Sequence, residues 1–246
     1  MENKLKDMEY QSSKDIDTFL GKNPEMVRYK EMFLEFHKAS NFNLFFLKLR
    51  KNYFLNKNDK SILNELKTAY NFRVICGFHP IFMPEKDFGT DLKKLKQGSY
   101  MIFQMPEKVS VKDLARIKKP DILVFFKGEY FYVEIKTIEG RIKNPQKVLQ
   151  KIDNSISQIE TFGQGLIQIF CENISNELIE NFDSFESEII QKIEKNKDIM
   201  GVLITYYDLF SSEQFSENQS KKVYKKKTKY ISNNNFKKIL VRNQLN

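Results

Sequence analysis

Two carboxylates and one lysine stand close together in the middle of this 246-residue chain. Asp121 opens the apolar run Ile-Leu-Val-Phe-Phe, and after a break at Lys127-Gly128 a second apolar run leads into Glu134 and Lys136. Two runs rich in β-branched and aromatic residues around a short glycine-containing break predict a β-hairpin. Folding about positions 127–129 brings Asp121 opposite position 135 or 136, give or take one residue.

The types of these side chains indicate a metal-dependent site. Because side chains alternate faces along a strand, Glu134 and Lys136 point to the same side. Carboxylate oxygens hold Mg²⁺, which keeps several waters and also binds substrate phosphate. Such a metal polarises a phosphoryl oxygen, and a lysine orients the attacking water or offsets charge in the transition state. The pattern favours a phosphodiesterase that uses Mg²⁺ or Mn²⁺. The alternative is a surface hairpin with a solvated Glu/Lys pair.

The spacing of this motif resembles that of the PD-(D/E)XK nuclease superfamily. A Pro-Asp pair ending at Asp121 is followed by twelve residues and then by a Glu-Ile-Lys triplet ending at Lys136. The resemblance implies a restriction-endonuclease-like α/β fold over roughly residues 58–208. In that fold a mixed central sheet is flanked by helices, in the order helix, three antiparallel strands, helix, strand. It also implies Asp121 and Glu134 as metal ligands, the Ile135 carbonyl as a third ligand and Lys136 as a catalytic residue.

Two helices of this fold supply further candidates. Many members of the superfamily carry a glutamate on the helix before the first strand, and Glu65 stands at the corresponding place. The alternative for Glu65 is an exposed helical glutamate paired with a nearby lysine. On the helix after the motif, Gln150, Lys151 and Gln158 are candidates to position water or phosphate, and the sequence does not choose among them. The sequence pattern of Asn64-Glu65 followed by Pro120-Asp121 is also loosely similar to that of nuclease domains of bacterial contact-dependent inhibition toxins, many of which cut tRNA.

Hydrophobic patterning places these candidates in three regions. An N-terminal helical extension spans residues 1–57, a nuclease core spans residues 58–210, and a basic C-terminal tail spans residues 211–246. In the extension, the aromatic segment Phe42–Phe54 predicts a helix packed on the core. In the core we expect a helix through Leu63, Leu66 and Tyr70, with Asp59 or Ser61 as its cap. The other predicted elements are strands at Arg73–Phe78, Tyr100–Met105, Leu166–Phe170 and Gly201–Tyr207, a helical turn at Val111–Ile117, a loop at Gly140–Pro145, a helix at Gln146–Thr161 and helical structure over residues 172–198.

Net charge points to a polyanionic partner. The formal net charge is +9 and the sequence pI is about 9.2, which favours nucleic acid ahead of membrane. Residues 221–230 pack six lysines around two tyrosines. Lysines neutralise phosphates and aromatic rings stack on bases, so Lys225, Lys226 and Lys227 are predicted to bind substrate. The alternative is a solvated linker.

Other features narrow the class of protein. Cys76 and Cys171 are the only cysteines, which favours two free thiols in a reducing compartment over one disulfide. No apolar stretch is long enough for a transmembrane helix, and the polar N-terminus lacks the apolar segment of a signal peptide, so we expect a cytoplasmic protein without a membrane partner. There is no Gly-rich phosphate loop and no Gly-x-Ser-x-Gly elbow, which argues against an ATP-driven motor or a serine hydrolase.

These observations predict a metal-dependent endonuclease that hydrolyses phosphodiester bonds. DNA is slightly favoured as the substrate, as in restriction or repair. An RNA- or tRNA-cleaving nuclease of the same fold, a non-catalytic nucleic-acid-binding protein and a protein-interaction module built on the Phe-rich helices remain alternatives. A homodimer and an inhibitory or regulatory protein partner are also left open.

Overall fold

The structure, a computed structural model, describes residues 13–37, 42–54, 60–83, 118–216 and 219–235. It is an α/β protein in which helices flank a six-stranded mixed sheet of order β1-β2-β3-β4-β5-β6. This confirms the predicted class, a mixed central sheet with flanking helices. The strands are β1 (His79–Phe82), β2 (Ile122–Phe126), β3 (Glu129–Ile142), β4 (Gly165–Ile174), β5 (Ile199–Ser216) and β6 (Gln219–Ser232).

The helices of the described residues lie before β1, between β3 and β4, and between β4 and β5. They are α1 (Ser13–Lys22), α2 (Lys30–Phe36), α3 (Phe42–Phe54), α4 (Lys60–Tyr70), α5 (Gln146–Glu160), α6 (Asn176–Glu180) and α7 (Phe182–Ile193). A 3₁₀-helix at Pro24–Tyr29 precedes α2, and a π-helical turn at Asn71–Ile75 extends α4. The helices predicted at Phe42–Phe54, through Leu63 and Tyr70, and at Gln146–Thr161 are therefore present.

The predicted hairpin is also present, with a tighter turn than expected. Only Lys127 and Gly128 separate β2 from β3, and both have positive φ, 49° and 83°. Two successive positive φ values are characteristic of the type I′ turn, whose twist matches that of the flanking strands. Glycine adopts this conformation without steric cost, which explains the break in the apolar pattern. The turn places β3 immediately after β2, as neighbours in the sheet.

The chain divides into two compact units, Met1–Tyr132 and Val133–Asn246. These bounds differ from the three regions expected from sequence, because the N-terminal helices share one core with the first strands. The Phe45 ring stacks on Phe82 of β1 with centroids 4.4 Å apart, and Phe42 lies 5.9 Å from the same ring. Further rings of this core are fully or nearly fully buried, namely Phe19, Phe33, Phe36 and Phe46.

The second unit buries one face of its strands beneath α5 and α7. In β4 the inward positions are Ile167, Ile169 and Cys171, and in β5 they are Val202 and Ile204. They alternate with residues of the opposite face, as expected for strands. Helix α5 adds inward residues four or seven apart, Val148, Ile152 and Ile159. β4 runs parallel to β5, and β5 runs antiparallel to β6.

The predicted first strand, Arg73–Phe78, is wrong. The chain remains helical through Ile75, and the strand begins only at His79. Gly77, with φ of 67°, ends the helical segment in the left-handed conformation common at helix C-termini. Pro80 lies inside β1. A proline is tolerated there because β1 is an edge strand and its missing N–H breaks no central ladder.

Two later expectations also need correction. The loop expected at Gly140–Pro145 begins later, because β3 continues to Ile142. The sheet does not end at Tyr207, since β5 continues to Ser216 and β6 pairs back along it, with Tyr207 opposite Lys226. Asn233 anchors the end of β6 by donating hydrogen bonds to the carbonyls of three residues that lead from α7 into β5, Ile193, Asn196 and Ile199. The sequence predicts a basic tail here, with a solvated linker as the alternative, whereas Gln219–Ser232 is a strand held by cross-strand pairing and by this anchor.

Some expectations lie outside the described residues. These are the cap at Asp59, the strand at Tyr100–Met105 and the helical turn at Val111–Ile117. Ser61, the other proposed cap, is the second residue of α4. Cys76 and Cys171 are both free, the first half-buried and the second buried. Burial raises the pKa of the Cys171 thiol to about 12. Over the part of the chain that the structure describes, no helix combines the length and apolarity needed to cross a membrane.

Gly201 on β5 provides a test of the packing in the second unit. A Cβ at this position would lie 2.6 Å from the Ile231 carbonyl oxygen and 2.7 Å from the Tyr230 ring. We expect Gly201→Ala to lower the free energy of unfolding by about 1–3 kcal/mol, because neither neighbour yields easily. Gly21 in α1 is the matched control, since a Cβ there meets nothing within 4 Å. Gly21→Ala should be neutral or stabilising by up to about 1 kcal/mol. Urea denaturation measures the free energy of unfolding of both variants. Equal effects of the two substitutions would contradict the close packing of Gly201 against Tyr230 and Ile231.

Candidate functional site

Strand β3 carries Glu134 and Lys136 on the same side. The residues before Lys136 are buried on both faces of the strand, from Phe131 to Ile135. Glu134 is only 1% exposed, and its Oε1 accepts a hydrogen bond from Lys136 Nζ. The Lys136 side chain is itself 12% exposed. A carboxylate removed from water to this degree stays charged only with a cation or strong donors beside it, and Lys136 is such a cation.

Helix α5 adds an amide to this pair. Lys136 Nζ also donates to Gln158 Oε1 over 3.0 Å. The other amide atom, Gln158 Nε2, is buried and makes no hydrogen bond within the described residues. A buried donor without an acceptor costs about 1–3 kcal/mol of folding free energy. The position of the Gln158 amide is therefore not explained by its Nε2 but by packing and by the hydrogen bond from Lys136 to its Oε1. Glu134, Lys136 and Gln158 are hereafter the β3–α5 cluster.

The structure distinguishes among the three polar candidates on α5. Gln158 joins the β3–α5 cluster, as described above. Gln150 is exposed and Lys151 is half-buried, and both lie near the beginning of the helix. Gln150 precedes Gln158 by eight residues, which corresponds to about 12 Å along the helix axis. The sequence could not make this choice, because the choice depends on which helical turn passes over Lys136.

Glu65 forms a second buried ion pair, in the first unit. Lys48 Nζ of α3 contacts both carboxylate oxygens of Glu65 on α4, at 2.8 and 3.0 Å. Their side chains are 14% and 6% exposed. Thr68, one turn after Glu65, has a buried hydroxyl with no hydrogen-bond partner in the described part of the chain. Glu65 is paired with a lysine, as in the structural alternative, but it is buried rather than exposed.

Sequence reasoning missed Lys48. In the sequence it is one of three charged residues, with Arg50 and Lys51, that interrupt an aromatic helix. Its neighbours Phe45, Phe46 and Leu49 are all buried, so the lysine stem lies beside the core and its ammonium reaches Glu65. A lysine between two leucines on an aromatic helix was the available signal.

Asp121 lies at a bend directly before β2, in the first unit. Its side chain is half-buried, and its carbonyl accepts a hydrogen bond from the Met83 N–H over 3.0 Å. Pro120 before it is buried. The backbone of Asp121 is therefore fixed by the hydrogen-bond ladder between β1 and β2, which holds the residue at the N-terminal end of β2.

The chemical type of the predicted ligand atoms indicates which metal they could hold. No group of three or more His, Cys, Asp and Glu residues close enough to hold a metal occurs among the described residues. The predicted ligand set needs fewer side chains than such a group. It contains two carboxylates, Asp121 and Glu134, and the backbone carbonyl of Ile135. These are hard oxygen donors of the kind that Mg²⁺ prefers, with water and substrate phosphate filling the remaining positions.

The remaining candidates lie elsewhere. His79, one of the two histidines of the chain, is largely exposed at the start of β1, and partial desolvation followed by the charge of Arg73 lowers its pKa. Lys226 and Lys227 are exposed on β6, and the backbone of Lys225 pairs with Asp208. These lysines belong to the second unit, as do Glu134, Lys136 and Gln158.

No protein-family model, curated protein or solved structure matches this chain.

The β3–α5 cluster generates a stability prediction. Lys136→Met should lower the free energy of unfolding by about 3–5 kcal/mol, because it leaves the buried Glu134 carboxylate without its ammonium. Adding Glu134→Leu in the same chain should recover most of that loss, since an apolar pair of similar volume replaces the ion pair. Chemical denaturation of the single and double variants completes the cycle.

An exposed ion pair in the same unit provides the control. Lys192 contacts Asp153 at 2.7 Å, and the Asp153 side chain is 53% exposed. Lys192→Met should cost about 0–1 kcal/mol, as is usual for surface pairs. A Lys136→Met variant no less stable than Lys192→Met would contradict the buried-charge account.

Proposed function

We propose that this protein is a divalent-metal-dependent nuclease that hydrolyses phosphodiester bonds in nucleic acid, with DNA slightly favoured over RNA. The observation that carries the proposal is the β3–α5 cluster, a buried carboxylate, lysine and amide on adjoining elements. Stability does not account for such a cluster, because well-packed apolar residues are often as stable as a buried ion pair. A carboxylate and an ammonium at fixed positions are groups that phosphodiester hydrolysis uses.

The metal would be held by the Asp121 and Glu134 carboxylates and the Ile135 carbonyl. When bound, Mg²⁺ or Mn²⁺ would polarise a phosphoryl oxygen and make hydroxide available near neutral pH. The Lys136 ammonium beside the buried Glu134 supports this assignment, because an adjacent positive charge favours the carboxylate anion that a metal requires. The restriction-endonuclease-like arrangement of the sheet is part of the same proposal.

The chain's own groups would then act on the phosphate. The Lys136 ammonium would offset the negative charge that develops on the phosphoryl oxygens as water adds and the leaving oxygen departs. Gln158 would fix the position of Lys136 through its Oε1, and its Nε2 would donate to a phosphate oxygen or to the attacking water. Glu65 would enter such a site only by exchanging its contact with Lys48, so we assign it a smaller role than Glu134.

Cleavage assays test this proposal. Plasmid DNA, single-stranded DNA and total tRNA would each be incubated with the protein in Mg²⁺, in Mn²⁺ and in EDTA. We expect metal-dependent cutting by the wild type, and a loss of about 10²–10⁴-fold in Glu134→Gln and in Asp121→Asn. Both variants keep the size of the side chain and remove its charge. The substrate that is cut decides between DNA and RNA.

Asp153→Asn is the matched control, since it removes a carboxylate from an exposed ion pair of α5. It should cut like the wild type. Metal-independent cutting, or equal cutting by wild type and Glu134→Gln, would overturn the proposal. Absence of cutting together with salt-sensitive binding that ignores metal would favour the non-catalytic nucleic-acid-binding protein.

A further inference from the structure

The sheet of the second unit has an outer face that its own helices α5 and α7 do not cover. The inward residues of β4 and β5 belong to the core beneath those helices. The alternate positions point to the other side, and the strand registers align them in cross-strand rows. Two neighbouring rows are Gln168–Leu203–Tyr230 and Phe170–Thr205–Thr228, and the next row pairs Tyr207 with Lys226.

This outer face is buried at one side and exposed toward β6. Gln168 and Thr205 are buried and bonded to each other, with Gln168 Nε2 donating to Thr205 Oγ1 over 3.1 Å. Phe170 and Tyr230 are half-buried, whereas Thr228 and Lys226 are exposed. Tyr207 is 44% exposed, which is unusual for a ring in the middle of a strand. An aromatic ring, an exposed lysine and short hydroxyl side chains thus lie close together on the outer face of β5 and β6.

Strand alternation assigns different roles to the lysines of β6. Lys229 lies on the inner face, where its ammonium is 4.4 Å from the Phe182 ring centroid and contacts Asp183 and Glu186. Lys226, three residues earlier, lies on the outer face directly opposite Tyr207. Residues opposite each other on antiparallel strands have Cβ atoms about 5 Å apart. The acid of this face, Glu172 on β4, accepts a hydrogen bond from the Gly140 N–H and is thus turned toward β3.

We propose that this part of the outer face, the Tyr207–Lys226 platform, binds single-stranded nucleic acid. The Tyr207 ring stacks on an unpaired base, and Lys226 contacts the adjoining phosphate. Base–aromatic stacking tolerates any base and requires that the base be unpaired, while a lysine contributes salt-dependent affinity. Charge complementarity with a chain of net charge +9 supports this occupant over an apolar protein surface. The inference rests on the proposed function for the class of ligand, but not on catalysis.

Fluorescence anisotropy in EDTA measures binding without cleavage. A short labelled oligothymidine and a duplex of equal length would be titrated with the full chain. Tyr207→Leu keeps an apolar side chain and removes the ring, so we expect about tenfold weaker binding of the single strand with an unchanged salt slope. Lys226→Gln should instead flatten the slope of log K against log salt by about 0.7.

Lys195→Gln is the control, because Lys195 is exposed just before β5 begins, at the end away from Tyr207. Tyr207 comes eight residues after Ile199 along the strand, a distance of about 27 Å. The control should leave the affinity for oligothymidine within about twofold of wild type. Unchanged single-strand affinity in Tyr207→Leu, or a duplex that binds as tightly as the single strand, would overturn the platform.

Cleavage by the same variants separates this inference from the proposed function. Wild-type cutting lost in Glu134→Gln, with equal oligothymidine binding by wild type and Tyr207→Leu, would remove the platform and leave the nuclease. Weaker binding by Tyr207→Leu in a protein that cuts nothing would support the platform and remove the nuclease.

Discussion

A charged carboxylate in a sheet strand must be compensated where it lies, and Glu134 imposes this constraint on the second unit. At 1% exposure it has almost no access to solvent. The nearest solution along the chain is the residue two positions later, which a strand places on the same side. Lys136 takes that position, and Gln158 on α5 accepts a further hydrogen bond from the same ammonium. The strand, the helix that crosses it and the apolar residues around them are thus arranged about one buried charge.

The first unit meets the same constraint with residues far apart in sequence. Glu65 on α4 is compensated by Lys48 on α3, which brings a charged group from the N-terminal helices into a core built of phenylalanine rings. In both units the buried pair has a cost that an apolar pair would avoid. The two carboxylates lie on elements that the nuclease resemblance singles out. This shared cost is the physical argument that supports the proposed use of their charges in catalysis.

Features governed by local rules could be predicted from sequence, and features governed by packing could not. The β2–β3 hairpin follows from apolar periodicity and a glycine at a positive-φ position. Helix α5 follows from inward residues such as Ile152 and Ile159. The π-helical turn after Tyr70 could not be predicted, because Val74, Cys76 and Phe78 alternate like a strand while the helix continues over part of that segment. Strand β6 was missed since its lysines suggested solvation, and its order depends on pairing with β5 and on Asn233.

Metal binding at Glu134 and Asp121 is the central claim, and calorimetric titration of Mn²⁺ tests it most directly. The account predicts a binding isotherm in the wild-type protein that weakens at least tenfold in both Glu134→Gln and Asp121→Asn, since each removes one anionic ligand. Asp153→Asn should bind Mn²⁺ like the wild type. A wild-type protein that shows no binding, or variants that bind as tightly as the wild type, would contradict the claim.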